Sequence, residues 1–78
     1  MDNISTDALL GNYFIQNLHR FKTQLLQPLK EEYAGIIIPE ILDRAKWIIA
    51  TDMVIGCKVG VDSVLSFLQG VNLEELLK

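Results

Sequence analysis

Apolar residues recur along this chain with the period of an α-helix, most densely between Pro39 and Leu68. At about 100° per residue, Glu40, Arg44, Thr51, Lys58, Asp62 and Gln69 fall on one narrow polar strip. Opposite it lie Leu42, Ala45, Ile49, Met53, Gly56, Gly60, Val64 and Phe67. Ile41, Ile48 and Val59 extend the apolar surface on one flank; Trp47, Ala50, Val54, Val61, Leu65 and Leu68 extend it on the other. A surface helix ordinarily shows an apolar stripe a little over about 100° wide. This one is apolar over most of its circumference and calls for cover on at least two sides.

The first half carries a narrower seam. Leu10, Phe14, Leu18, Phe21, Leu25 and Leu29 follow one another at steps of three and four, with Asn12, Gln16, His19, Arg20, Thr23 and Gln27 on the opposite side. The spacing predicts a helix over about residues 5–27, capped by Asn3 or Ser5, with Asp7 at the positive end of its dipole. Pro28 is expected to end or kink it. The segment after it has room for one more turn before Gly35 stops it. Ile38 precedes a proline and is expected to be extended, and Pro39 suits the first turn of the second helix.

That second helix is weakest at Gly56-Cys57-Lys58-Val59-Gly60. Two readings fit. The helix continues and its glycines admit a close neighbour, the reading slightly favoured; or it breaks, and Asp62 or Ser63 caps a third helix ending at Gln69. Beyond Gly70, Asn72 with Glu75 resembles a capping arrangement for a short helix bearing Leu73, Leu76 and Leu77. The β-branched runs at residues 36–38 and 47–55 leave a strand alternative, but the longer run lacks alternation and no Asn-Gly or Asp-Gly turn joins them.

Length sharpens this picture. Seventy-eight residues make one domain, residues 1–78. A chain this short rarely draws more than about 3–5 kcal/mol from its own core. One cysteine allows no internal disulfide, and one cysteine with one histidine is a poor zinc set, so oligomerisation is the remedy left. No metal or cofactor is expected. The net charge of −3 lacks the footprint of a phosphate-backbone binder. The polar start MDNISTD is not a secretory signal, a lone cysteine fits a reducing, cytoplasmic setting, and Asp52, Lys58 and Asp62 speak against a membrane span.

Chemistry is sparse. His19, the lone histidine, sits on the polar side of the first helix, and Cys57 reads as a small apolar filler. Glu31, Glu32, Glu40 and Asp43 cluster near the loop, the ordinary composition of solvated helix ends. No phosphate loop, CxxC, HExxH or GxSxG motif is present, so an enzyme is not expected. Asp52 falls among apolar neighbours: either it finds a partner, His19, Arg20 or Lys46 of this chain or another copy, or the helix is rotated so that it reaches water. His19, Arg20 and Lys22 make a modest basic region open to a ligand or partner.

Gly56-x-x-x-Gly60-Val61-Asp62 resembles the turn of a helix-turn-helix DNA-binding motif, with a small residue four before a turn glycine, then an apolar residue and a cap. The resemblance implies a DNA-reading helix within residues 56–69. It departs from the family six and nine positions after the glycine, where Ser66 and Gln69 replace apolar residues.

The expectation is an all-α chain: a hairpin of two long helices and a short C-terminal helix, self-associating through Leu42, Ala45, Ile49, Asp52, Met53, Gly56, Gly60, Val64 and Phe67. Its function is expected to be binding, as an adaptor, regulator or inhibitor. The alternatives are a DNA-binding regulator and a binder of a small ligand or nucleotide between protomers.

Overall fold

A computed structural model describes residues 5–78 and is all-helical, with no strand among them. Asn3 lies outside the described residues, and Ser5 caps the first helix, its hydroxyl accepting from the Ala8 N–H at 3.1 Å.

The first half is helical almost without interruption. It comprises α1 (Thr6–Gln16), α2 (Leu18–Arg20), a π-helical segment (Phe21–Leu26) and α3 (Gln27–Glu32). Pro28 therefore does not end the helix. Its ring would crowd the carbonyl four residues back, and it has no N–H to donate. The π winding just ahead widens that turn and lets the chain continue. The same winding changes which side chain points inward. With α-helical spacing Leu25 follows Phe21 into the core; with i→i+5 winding Leu26 does. Leu26 is fully buried and Leu25 only half-buried.

The end of α3 is a Schellman turn: the Gly35 N–H donates to the Lys30 carbonyl at 2.9 Å and the Ala34 N–H to Glu31 at 3.2 Å. Gly35 has φ +76°, but Ala34 is also left-handed, at φ +54°. An L-residue there costs about 1–2 kcal/mol, of which glycine's extra unfolded-state freedom returns about 0.5–1. Ala34→Gly should therefore raise stability by roughly 0.5–1 kcal/mol, read as a higher urea midpoint. An unchanged or lower midpoint would contradict this reading of the turn.

Ile38 is extended (φ −127°, ψ 165°), and Pro39 opens α4 (Pro39–Cys57). Ile41, Ala45, Ile49 and Met53, at steps of four, are all fully buried. They lie in one core with Leu10, Phe21, Leu26 and Leu29 from the first half. α4 then stops. Lys58 is left-handed (φ 58°, ψ 43°), its N–H donating to the Val54 carbonyl at 2.9 Å. So the second helix breaks instead of continuing. The breaking residue is Lys58, with neither glycine in a left-handed conformation. Extended Gly60 is the N-cap of α5 (Val61–Leu68), placing Asp62 within the first turn and leaving neither Asp62 nor Ser63 as the cap. α6 (Leu73–Leu77) is capped as expected, the Asn72 side chain accepting from the Glu75 N–H at 3.2 Å.

α5 and α6 fold back on α4. Val64 and Leu68 enter the core beside α1, and Leu77 enters it beside the π segment. One side of α4 is thus covered within the chain. Ala45, Ile49, Met53 and Val64, expected to face a second copy, are already fully enclosed; Leu42 and Phe67 are half-buried. The shape is elongated, 48 × 20 × 19 Å.

Candidate functional site

α1 and α4 meet through one polar cluster. Arg20 grips Asp52 with two parallel bonds: Nη1 donates to Oδ2 at 2.9 Å and Nη2 to Oδ1 at 2.8 Å. The Tyr13 hydroxyl donates to the same Oδ1 at 2.7 Å. Behind them Asn17 holds Arg20, its Oδ1 accepting from Nε at 3.2 Å, while its Nδ2 donates to the Tyr13 carbonyl at 2.9 Å. The partner that Asp52 required is therefore Arg20 of the same chain. His19 and Lys22 are exposed on the outer side, and Lys46 pairs with Asp43 at 3.2 Å. The basic region does not converge, because Arg20 is committed inward.

Tyr13 also explains Gly56. A Cβ on Gly56 would overlap the Tyr13 hydroxyl and ring edge, so the glycine is what lets the phenol reach Asp52. Nothing lies near the Cβ position of Gly60. The close neighbour foreseen for this pair is a tyrosine of the same chain, and it meets only one of the two.

The electrostatics hold each group in its resting form. The Arg20 guanidinium, aided by the Tyr13 hydroxyl, keeps the Asp52 carboxyl below its usual range against the opposing effect of burial. The hydrogen bond to Asp52 pushes the Tyr13 phenol up, and burial pushes the Cys57 thiol up. At neutral pH the set is a carboxylate held between a phenol and a guanidinium. That arrangement pins the first half of the chain to α4.

Because Asp52 titrates lower folded than unfolded, its contribution is present above the unfolded pKa of about 3.9 and is lost as pH falls through the folded value. Asp52→Asn should lower stability at neutral pH and flatten the acid dependence below about pH 4. Urea unfolding at a series of pH values reads both. Parallel acid slopes for the two proteins would contradict the pairing.

The loop acids are individually partnered. Glu32 accepts from Arg44 at 2.6 Å, Glu40 accepts from the Tyr33 hydroxyl at 2.5 Å, and Asp43 takes Lys46. No group of three or more metal-ligating side chains occurs among the described residues. The helix break at residues 58–60 does produce two helices around a turn, but α5 turns Asp62, Ser66 and Gln69 outward, one acid and no base. No helix of the described residues is long and apolar enough to cross a membrane.

The remaining feature is the outer side of α4. Trp47 is 45% exposed and Ile55 71%, with Thr51 exposed between them and Ile48 and Val54 half-buried alongside. Sequence reading placed Trp47 and Val54 on an apolar flank but located the association surface on the side that proves enclosed. The strip Glu40, Arg44, Thr51, Lys58, Asp62 and Gln69 is exposed along its whole length, as the pattern indicated. No protein-family model, curated protein or solved structure matches the chain.

Proposed function

We propose that this chain is a helical hairpin that acts by binding: a self-associating adaptor, regulator or inhibitor that works by occupying a surface. One observation carries the reading. After the core is closed, Leu9, Ile15, Ile36, Ile38, Trp47, Ile55 and Val61 still reach solvent, and Trp47 and Ile55 share one helix. Scattered single apolar residues are ordinary on a protein surface; a tryptophan and isoleucine two turns apart on one exposed face are what a partner helix recognises. The polar cluster supports the same reading from the other side, since Arg20, Asp52 and Tyr13 satisfy one another. Light scattering on the purified chain tests it. The expected mass exceeds the 8.8 kDa of one chain and rises with concentration; a mass fixed at that value would contradict self-association.

A further inference from the structure

We propose that α5 and α6 are exchangeable between two copies of the chain: the break at residues 58–60 straightens, α4 and α5 join into one helix, and each copy's α5 and α6 fill on the other the place they fill on their own. The inference goes beyond the reading above, since it rests on the break and not on the side of α4 that carries Trp47.

The sequence is patterned for the joined form. Wound as one helix from Pro39 to Gln69, the residues Glu40, Arg44, Thr51, Lys58, Asp62 and Gln69 keep to a strip about 40° wide. The strip runs through the break without a change of phase. Val64 then falls within about 20° of Met53, and both are fully buried. The break itself is held by residues poorly suited to it. Lys58 is left-handed (φ 58°, ψ 43°), where an L side chain is crowded. Gly60, free to take that conformation, is extended instead (φ −69°, ψ 154°), and nothing lies within 4 Å of its Cβ position. A short connection that carries strain is the kind that opens into an exchanged dimer.

What α5 and α6 contribute can be supplied by either copy. Val64, Leu68 and Leu77 enter the core, and Phe67 meets the Phe14 ring edge-on at 5.9 Å. Among the described residues, no hydrogen bond or ion pair joins residues 61–78 to residues 5–57. The first half, by contrast, is fixed to α4 by the directional bonds of Arg20 and Tyr13 to Asp52. The chain therefore divides at the break into a pinned body and an apolar unit that docks on it. A second copy offers the same dock. Exchange keeps those contacts and releases the strain at Lys58 in both chains, against the entropy of bringing two chains together, which concentration offsets.

Refolding the full chain from urea at high micromolar concentration, followed by size exclusion with light scattering, tests this. The exchanged dimer should have twice the 8.8 kDa of one chain and persist on dilution, since its release requires α5 and α6 to undock. In dimer refolded from mixed labelled and unlabelled chains, isotope-filtered spectra should show Phe14–Phe67 cross-peaks between chains; in the monomer fraction they should lie within one. Two variants move the balance in opposite directions, each acting at both breaks of a dimer. Gly60→Ala makes a better helix interior and a poorer N-cap, and should strengthen dimerisation at least about tenfold. Lys58→Gly relieves the left-handed residue and weakens the joined helix, and should weaken dimerisation at least about tenfold. A dimer whose Phe14–Phe67 contact stays within one chain, or one indifferent to both variants, overturns exchange and leaves self-association through another surface standing. Wild type and Gly60→Ala that both refold only to single chains overturn exchange and self-association together.

Discussion

Replacing Phe21 with alanine will destabilise this chain by about 3–5 kcal/mol, the cost of removing a large side chain from a core that cannot fully collapse around the gap. Phe21 is fully buried. Its ring lies 5.7 Å from that of Phe14, which in turn meets Phe67 edge-on at 5.9 Å, so one aromatic chain ties the π segment through α1 to α5. Its other neighbours are the polar cluster: Tyr13 at 6.3 Å, and the Arg20 guanidinium 5.3 Å over the ring. A domain of this length has a total stability of about 4–12 kcal/mol. Phe21→Ala should therefore leave a large unfolded fraction at room temperature, seen as loss of cooperative urea unfolding. Phe21→Leu keeps most of the volume and should cost far less, under about 2 kcal/mol. Equal losses for the two would mean that the ring's packing is not what holds α1, α4 and α5 together.

Gly56→Ala will reverse its sign when Tyr13 is removed. In an ordinary helix interior alanine is better than glycine by about 1 kcal/mol. Here the added Cβ would overlap the Tyr13 ring edge and hydroxyl, which are held by the bond to Asp52. Overpacking of this kind costs about 1–3 kcal/mol, so Gly56→Ala alone should destabilise. In a Tyr13→Ala background the space is open, and the same change should stabilise by about 1 kcal/mol. Tyr13→Phe will not relieve it, because the ring edge remains. Urea denaturation of the four proteins of this cycle measures the coupling directly. Additive effects would show that Gly56 and Tyr13 do not meet as described.

These two positions also show what could be read from the chain and what could not. Ala45, Ile49 and Met53 of the inner row of α4 are plain from period alone, because burial on a regular helix is a matter of angle; the row's start is not, since Ile41, read as a flank, is fully buried and Leu42, read as facing inward, is only half-buried. Also plain are the caps at Ser5 and Asn72, whose signal is local. Leu26 was hidden because a π turn shifts the phase by one residue, and nothing in FKTQLL announces a π turn except the proline that follows it. The break after Cys57 was legible as a weakness but not as an outcome. The left-handed residue is Lys58, which has no special preference for that conformation, and tertiary packing of α5 decides it. Arg20 could be named as a partner for Asp52 because an apolar neighbourhood demands one. That the partner would come from the same chain depends on how α1 lies across α4. That geometry also decides which side of α4 is left uncovered, and it moved the candidate surface from Ala45, Ile49 and Met53 to Trp47, Thr51 and Ile55.

One side of α4, with Ala45, Ile49 and Met53, is closed by its own chain; the side with Trp47 and Ile55 is left exposed and is the one proposed to meet a partner. Isotope-filtered NOE spectroscopy on a mixture of labelled and unlabelled chains separates the two sides in one experiment. If the chain self-associates as proposed, cross-peaks from Trp47 should appear between chains, and Tyr13–Gly56 cross-peaks only within one. A between-chain Tyr13–Gly56 cross-peak, or a filtered spectrum empty at Trp47, would contradict it.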